Sequence, residues 1–203
     1  MELIQAANLD YPRPNLARPG FVSGPCLSKD PYLLLNSLAG HGYKPPLVTN
    51  ARQLNRDMPE AVAQHFIQGL KAERKSLKGA KVLVCGFAYK GWPITDDTRD
   101  SPTIPIIKTL IESEVEVYGH DFVVPKDRMS SFGVQVVPDL EEGFAGAQAA
   151  LVVNEHPGYR NVDIRGLART MEFPGIIYDC WRVFDADAIK SMGGVRYMSI
   201  GYG

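Results

Sequence analysis

From residue 78 onward, short apolar runs alternate with helical stretches, and no other feature of this chain restricts its fold as much. The apolar runs fall at 81–86, 115–118, 134–137, 149–153, 175–178 and 195–198. Helical patterns fill the gaps at 103–112, 125–131, 139–146, 164–171 and 185–192. Runs of four to six residues rich in Val, Ile and Leu are too short for core helices and read as buried strands. Strand–helix–strand succession brings right-handed crossovers and a parallel sheet with helices on its faces. The expected class for this part is α/β.

Residues 1–75 are of another kind. Residues 1–9 look like the end of a helix, stopped by Asp10-Tyr11-Pro12-Arg13-Pro14, because two prolines cannot continue it. A loop follows to Pro31. Asp30-Pro31 then predicts a helix start, Asp accepting from the first free amides and Pro suiting the first turn. That helix runs to Gly40. A second spans 47–71, with Val62, Phe66, Ile67 and Leu70 at helical spacing and Pro59 expected to kink or split it.

Composition narrows the partners. The 203 residues are 45% hydrophobic and 22% charged, with 22 Lys plus Arg against 23 Asp plus Glu, a net charge of −1. A near-neutral chain gives no electrostatic case for nucleic acid or an anionic membrane. No apolar run reaches the roughly 18–20 residues that span a bilayer. The first residues, Met1-Glu2-Leu3-Ile4-Gln5, lack a basic region before an apolar stretch and do not read as a secretory signal. The three cysteines, Cys26, Cys85 and Cys180, are odd in number and widely spaced, which fits a reducing, cytoplasmic setting. The four histidines are scattered without metal-ligand spacing, so no metal site is expected.

Two segments carry possible chemistry. No G-x-G-x-x-G follows any expected strand. Gly86-Phe87-Ala88-Tyr89-Lys90-Gly91 has the outer spacing of a phosphate loop, but Trp92-Pro93 stands where such a loop needs Lys-Ser/Thr. It still lies at the carboxyl end of the first strand, where open α/β sheets place ligands. Lys90 there either neutralises a phosphate or is a surface lysine. The second segment is Gly20-Phe21-Val22-Ser23-Gly24-Pro25-Cys26-Leu27-Ser28-Lys29-Asp30. Its glycines let a ligand approach the backbone, and Cys26 sits one turn before a helix start with Lys29 nearby, both favouring thiolate. A thiolate in such a loop suits covalent attack on a carbonyl; a buried apolar cysteine is the other fate open to it.

Residues 19–35, which hold the cysteine loop, closely resemble the catalytic-cysteine segment of the UDP-glucose/GDP-mannose dehydrogenase family. Residues 86–102 resemble the signature that opens that family's UDP-binding domain, and Val117–Asp121, Val152–His156 and Tyr178–Arg182 follow in family order. The resemblance implies a Rossmann-like parallel sheet preceded by a helical central and dimerisation segment, dividing the chain into 1–75 and 76–203. It implies a sugar-nucleotide 6-dehydrogenase that oxidises the C6 alcohol to a carboxylate in two NAD-dependent steps, with a UDP-sugar, rather than a GDP-sugar, as substrate. Cys26 would form a thiohemiacetal and then a thioester, with Lys29 and Asp30 beside it and Asp30 orienting the hydrolytic water. Gly20, Phe21 and Gly24 would shape the sugar loop. Lys90 would reach the UDP portion, Arg99 would organise that mouth, and Arg182 is the candidate to touch the cofactor.

The chain departs from the family in one large respect. The NAD-binding domain with its glycine fingerprint is not among these residues, and the sequence is expected to correspond to the C-terminal half of such an enzyme, inactive without a separate NAD-binding domain. Many members have Asp-Gly-Arg where this chain has Asp179-Cys180-Trp181, with Arg182 one place late. The stripe Val62–Leu70 is expected to support a homodimer, or else to pack on the chain's own sheet. The competing reading is a non-catalytic UDP-sugar-binding or dimerisation module.

Overall fold

The structure is a computed structural model that describes residues 2–9, 19–74 and 76–201. Three helices come first: α1 (Glu2–Asn8), α2 (Asp30–Ala39) and α3 (Pro46–Glu73). The stop expected at Asp10–Pro14 lies outside the described residues. Strands and helices then alternate: β1 (Lys81–Cys85), α4 (Thr103–Glu112), β2 (Glu116–His120), α5 (Lys126–Ser130), β3 (Gln135–Val136), α6 (Leu140–Phe144), β4 (Ala149–Val152), α7 (Pro157–Arg160), α8 (Ile164–Arg169), β5 (Gly175–Asp179), α9 (Ala186–Lys190) and β6 (Val195–Met198).

The six strands form one sheet in the order β3-β2-β1-β4-β5-β6, and every pairing is parallel. Side chains alternate across a strand, and β1 shows the consequence. Val82 and Val84 join the core under α3 and α4, whereas Leu83 and Cys85 join the core under α6, α8 and α9. A sheet buried on both faces needs continuous apolar strands, which is why the runs read from the sequence fall so close to the observed strands. Short acidic caps fix where several helices start: Asp139 accepts from the Glu142 amide, Asp163 from the Gly166 amide, and Asp185 from the Asp187 and Ala188 amides.

The structure decides three expectations and adds one helix. Helix α3 is not split at Pro59 but runs as one element from Pro46 to Glu73. A helix-interior proline costs about 3 kcal/mol. Burial of Val62, Phe66, Ile67 and Leu70 just beyond it, each contributing about 1.5–3 kcal/mol, outweighs that. Those four residues form the stripe expected either to support a homodimer or to pack on the chain's own sheet, and they take the second course, buried in the core with β1, β4 and β5. Asp30 does not cap α2; it is the first helical residue, and the Lys29 cap position makes no side-chain cap bond. Finally, α7 was not expected. Pro157 opens it and His156 Nδ1 accepts from the Gly158 amide at 3.0 Å.

Candidate active site

The sheet order reverses between β1 and β4, and ligands of open α/β sheets bind at the carboxyl edge of such a point. The loop after β1 is held rigidly there. Gly86 has φ +92°, and a Cβ on it would lie 2.6 Å from the Asn154 side chain, so both the turn and the close approach require glycine. Asp121, at the end of β2, accepts from the Phe87 amide at 2.6 Å with one carboxylate oxygen and from the Val123 and Val124 amides at 2.8 and 3.0 Å with the other. The Tyr89 amide donates to the Asp97 carbonyl at 2.9 Å. Tyr89 and Lys90 are thereby projected from a fixed backbone, with Lys90 Nζ 5.2 Å from the Tyr89 ring centre.

The cysteine loop is laid over this edge by two aromatic rings. A Cβ on Gly20 would fall 2.4 Å from the Trp181 ring, and one on Gly24, at φ +101°, would fall 2.6 Å from the Tyr89 ring. Bare glycine backbone is what lets the loop sit on both. Ser23 Oγ donates to the Tyr89 carbonyl at 2.7 Å, and Asn55 of α3 pairs with the backbone of Val22 through both its amide groups. Trp181 is itself fixed: its indole N–H donates to the Val153 carbonyl at 2.7 Å and its backbone N–H to Asp179 at 3.1 Å. Asp179 is fully buried. Burial pushes its carboxyl above the usual carboxylate range, and hydrogen bonds from Phe184, Val183, Trp181 and Tyr197 pull partly the other way.

The result is a cavity of about 320 Å³ in which Phe21, Gly24, Cys26, Tyr89, Lys90 and Trp181 meet. Two segments more than sixty residues apart, the cysteine loop and the loop after β1, are brought to one mouth. Cys26 is exposed, while Cys85 and Cys180 are buried, and burial pushes both of those thiols up. The Cys26 carbonyl accepts from the amides of Lys29 and Asp30 at 3.0 and 2.8 Å, so the α2 entry is spent on backbone rather than on sulfur.

The other expected residues stand as follows. Lys29 and Asp30 point to solvent, with Lys29 Nζ 3.7 Å from the Asp30 carboxylate. Arg99 does not line the cavity. It grips Asp97 with Nε at 3.0 Å and Nη2 at 2.7 Å, and the Asp97 carboxylate above all, with Cys26 and Tyr89 adding to it, holds the guanidinium charged. Because the Asp97 carbonyl receives the Tyr89 amide, Arg99 acts on the mouth through that loop. Arg182, at φ +51°, turns to the end of β6, where Nη2 donates to the Ile200 carbonyl at 3.1 Å. Trp181 takes the place on the cavity wall. Tyr89, Trp181 and Asp121 have no role in the sequence reading; only the paired close approaches at Gly20 and Gly24 reveal the two rings.

The resemblance implies NAD, and the residues present do not fit its pyrophosphate where a dinucleotide fold would hold it. The amides after β1 are already spent, those of Phe87 and Ala88 on Asp121 and that of Tyr89 on Asp97. Among the described residues no group of three His, Cys, Asp or Glu side chains could hold a metal ion. Among them, too, no helix is long and apolar enough to cross a membrane.

Comparison with known proteins gives the family. Residues 83–186 match the UDP-binding domain of the UDP-glucose/GDP-mannose dehydrogenase family, and residues 1–57 match that family's central domain. A UDP-N-acetyl-D-mannosamine dehydrogenase of Pyrococcus horikoshii is 34% identical over 178 residues, 87% of this chain and 39% of that one. A UDP-glucose 6-dehydrogenase of Rhizobium meliloti is 29% identical over 186 residues, 91% of this chain and 41% of that one. The solved structure of the UDP-D-ManNAc dehydrogenase from Pyrococcus horikoshii superposes with a TM-score of 0.76 at 31% identity, covering 98% of this chain and 43% of the other. A UDP-N-acetyl-mannosamine dehydrogenase from S. aureus gives 0.70 at 28% identity, covering 99% and 43%. The chain thus spans about two-fifths of the length of these relatives. By the family models it matches and by its likeness in sequence and fold to these dehydrogenases, the chain belongs to the UDP-glucose/GDP-mannose dehydrogenase family.

Proposed function

We propose that the chain is the cysteine-bearing, substrate-binding part of a nucleotide-sugar 6-dehydrogenase acting on a UDP-sugar, with residues 1–75 contributing the cysteine loop and residues 76–203 the nucleotide-binding sheet. The observation that carries this reading is that exposed Cys26 and half-buried Lys90 share one cavity at the reversal point of the sheet. Lys90 neutralises the diphosphate, and Phe21 with the bare backbone at Gly20 and Gly24 shapes the sugar's seat. Cys26 sulfur adds to the C6 aldehyde; the C–S bond forms as the carbonyl oxygen takes a proton, giving a thiohemiacetal. At the thioester stage water attacks the acyl carbon, the C–S bond breaks, and the thiol leaves with the carboxylate formed. Asp30, one turn beyond Cys26, orients that water. NAD, the hydride acceptor this chemistry requires, would be held by a separate NAD-binding domain. A cytoplasmic setting belongs to the same reading and rests on the three free cysteines.

Titration calorimetry with UDP tests the substrate class. One site is expected, and Lys90→Ala is expected to weaken it about tenfold, the loss of one charge-assisted phosphate contact. Absence of UDP binding, or equal affinity in the variant, sinks the reading. The same reading makes the chain a homodimer through α2 and the front half of α3, where Leu33, Leu34, Leu47 and Leu54 are exposed. Light scattering at tens of micromolar is expected to return twice the 22.4 kDa chain mass; a single 22.4 kDa species refutes the dimer.

A further inference from the structure

A second cavity, of about 500 Å³, is lined by the Phe21–Ser23 segment, by α3 and by the start of α4. Arg52 and Arg56 both line it. They are one helical turn apart, and like charges at that spacing repel. Arg56 has a partner: Nη1 donates to the Tyr32 hydroxyl at 3.1 Å. Arg52 also acts on the Tyr32 hydroxyl, more weakly than Arg56 does. It is only 8% exposed, and its Nε, shielded from solvent, has no hydrogen-bond partner.

A buried guanidinium with an idle donor is costly unless a negative charge arrives to pair with it. The cavity wall carries one carboxylate, Asp100, and both it and Asp57, outside the wall, act on Arg56. Neither is hydrogen-bonded to Arg52, whose Nε stays idle. The α4 start adds a positive helix end but few free donors, because Ser101 accepts from the Thr103 and Ile104 amides at 3.3 Å each and Pro102 and Pro105 have none. The donors on offer are therefore those of the guanidinium forks. Such forks match phosphate oxygens two at a time, and the space accommodates more than one phosphoryl group.

We propose that this cavity is an anion site that takes a phosphoryl or diphosphate group, held by Arg52 with Arg56 as its second cation. It shares Phe21, Val22 and Ser23 with the cysteine cavity, but that cavity is lined by neither arginine.

The probe is inorganic pyrophosphate, titrated into the whole chain at low ionic strength and followed by calorimetry and thermal melting. Binding with a Kd of about 1 mM or tighter is expected, together with a rise in Tm on addition of pyrophosphate. Arg52→Met is expected to lose at least about tenfold in affinity and to abolish the Tm rise. Without pyrophosphate its Tm should equal or exceed that of the parent, since an unpaired buried charge has gone. Arg56→Gln, at an exposed position, weakens binding without touching the core. All titrations are run in the Lys90→Ala background, which removes the phosphate contact proposed for the cysteine cavity and separates this site from the UDP reading. No binding in that background, or equal binding when Arg52→Met is added, overturns the proposal. UDP and NAD, titrated in turn against bound pyrophosphate in the Lys90→Ala background, then identify the source: displacement by either names a nucleotide diphosphate, and displacement by neither names free phosphate.

Discussion

Treated with iodoacetamide at mildly alkaline pH, the native chain is expected to lose one thiol at least about a hundredfold faster than the other two, and mass mapping places the label on Cys26. Thiolate is the attacking species, and each unit of upward pKa shift removes about tenfold of it. Cys85 is completely buried, Cys180 is 3% exposed, and burial pushes both thiols far up. Either must wait for local opening before it reacts. Cys26 is exposed at a cavity mouth and needs no opening. A UDP-sugar seated over Lys90 covers that mouth, so the nucleotide should slow labelling of Cys26 and leave the two buried cysteines as they were. In 6 M guanidinium the three should react alike. Comparable rates for all three thiols in the native chain contradict the geometry. Fast labelling of Cys26 that UDP-sugar leaves unchanged contradicts the substrate assignment alone.

The sheet was legible in the sequence because a parallel sheet covered on both faces requires apolar residues on both sides of each strand, and β1, β4 and β5 are uninterrupted runs of them. The helical patterns expected from 139 and 185 correspond to α6 and α9, and the structure shows the Asp139 and Asp185 side chains capping them. Of the site, Cys26 and Lys90 could be named from local pattern and family resemblance. What joins them could not. The rings of Trp181 and Tyr89 support the cysteine loop at Gly20 and Gly24, and such contacts across more than sixty residues leave no local periodicity. The same limit explains Pro59. Read locally it breaks a helix, but the packing of Phe66 and Leu70 against the sheet is a tertiary term that local propensity omits. Nothing in the sequence around Arg52 marks it as buried, and only the fold shows it enclosed.

Gly91→Ala should be the most damaging single-methyl change near the site. A Cβ there would lie 2.0 Å from the His156 nitrogen and 2.4 Å from the Glu155 carbonyl carbon. Both are backbone atoms at the end of β4, so no side-chain rotation relieves the clash. The segment 154–156 is pinned as well: Asn154 donates to the Ala88 carbonyl at 3.3 Å and accepts from the His156 amide at 3.2 Å, and the His156 ring stacks on Phe122 with centres 4.9 Å apart. One of two backbones must move. Overpacking by a methyl costs typically about 1–3 kcal/mol, and a clash between two fixed backbones belongs at or above the top of that range. For a chain of this size about 3 kcal/mol lowers Tm by roughly 6–12 °C. If the loop after β1 is the part that yields, Lys90 moves with its neighbour, and UDP affinity should fall further than in Lys90→Ala. Gly40→Ala is the control. Its backbone is helical at φ −60°, and the nearest atom to a new Cβ is the Ser37 carbonyl oxygen at 3.5 Å. Alanine there should leave Tm within about 2 °C of the parent, since surface substitutions away from special features stay within about 0.5 kcal/mol. Equal melting temperatures for the Gly91 and Gly40 variants would show that the β1 and β4 loops are not locked together, and with that the rigid mouth from which Lys90 projects would be gone.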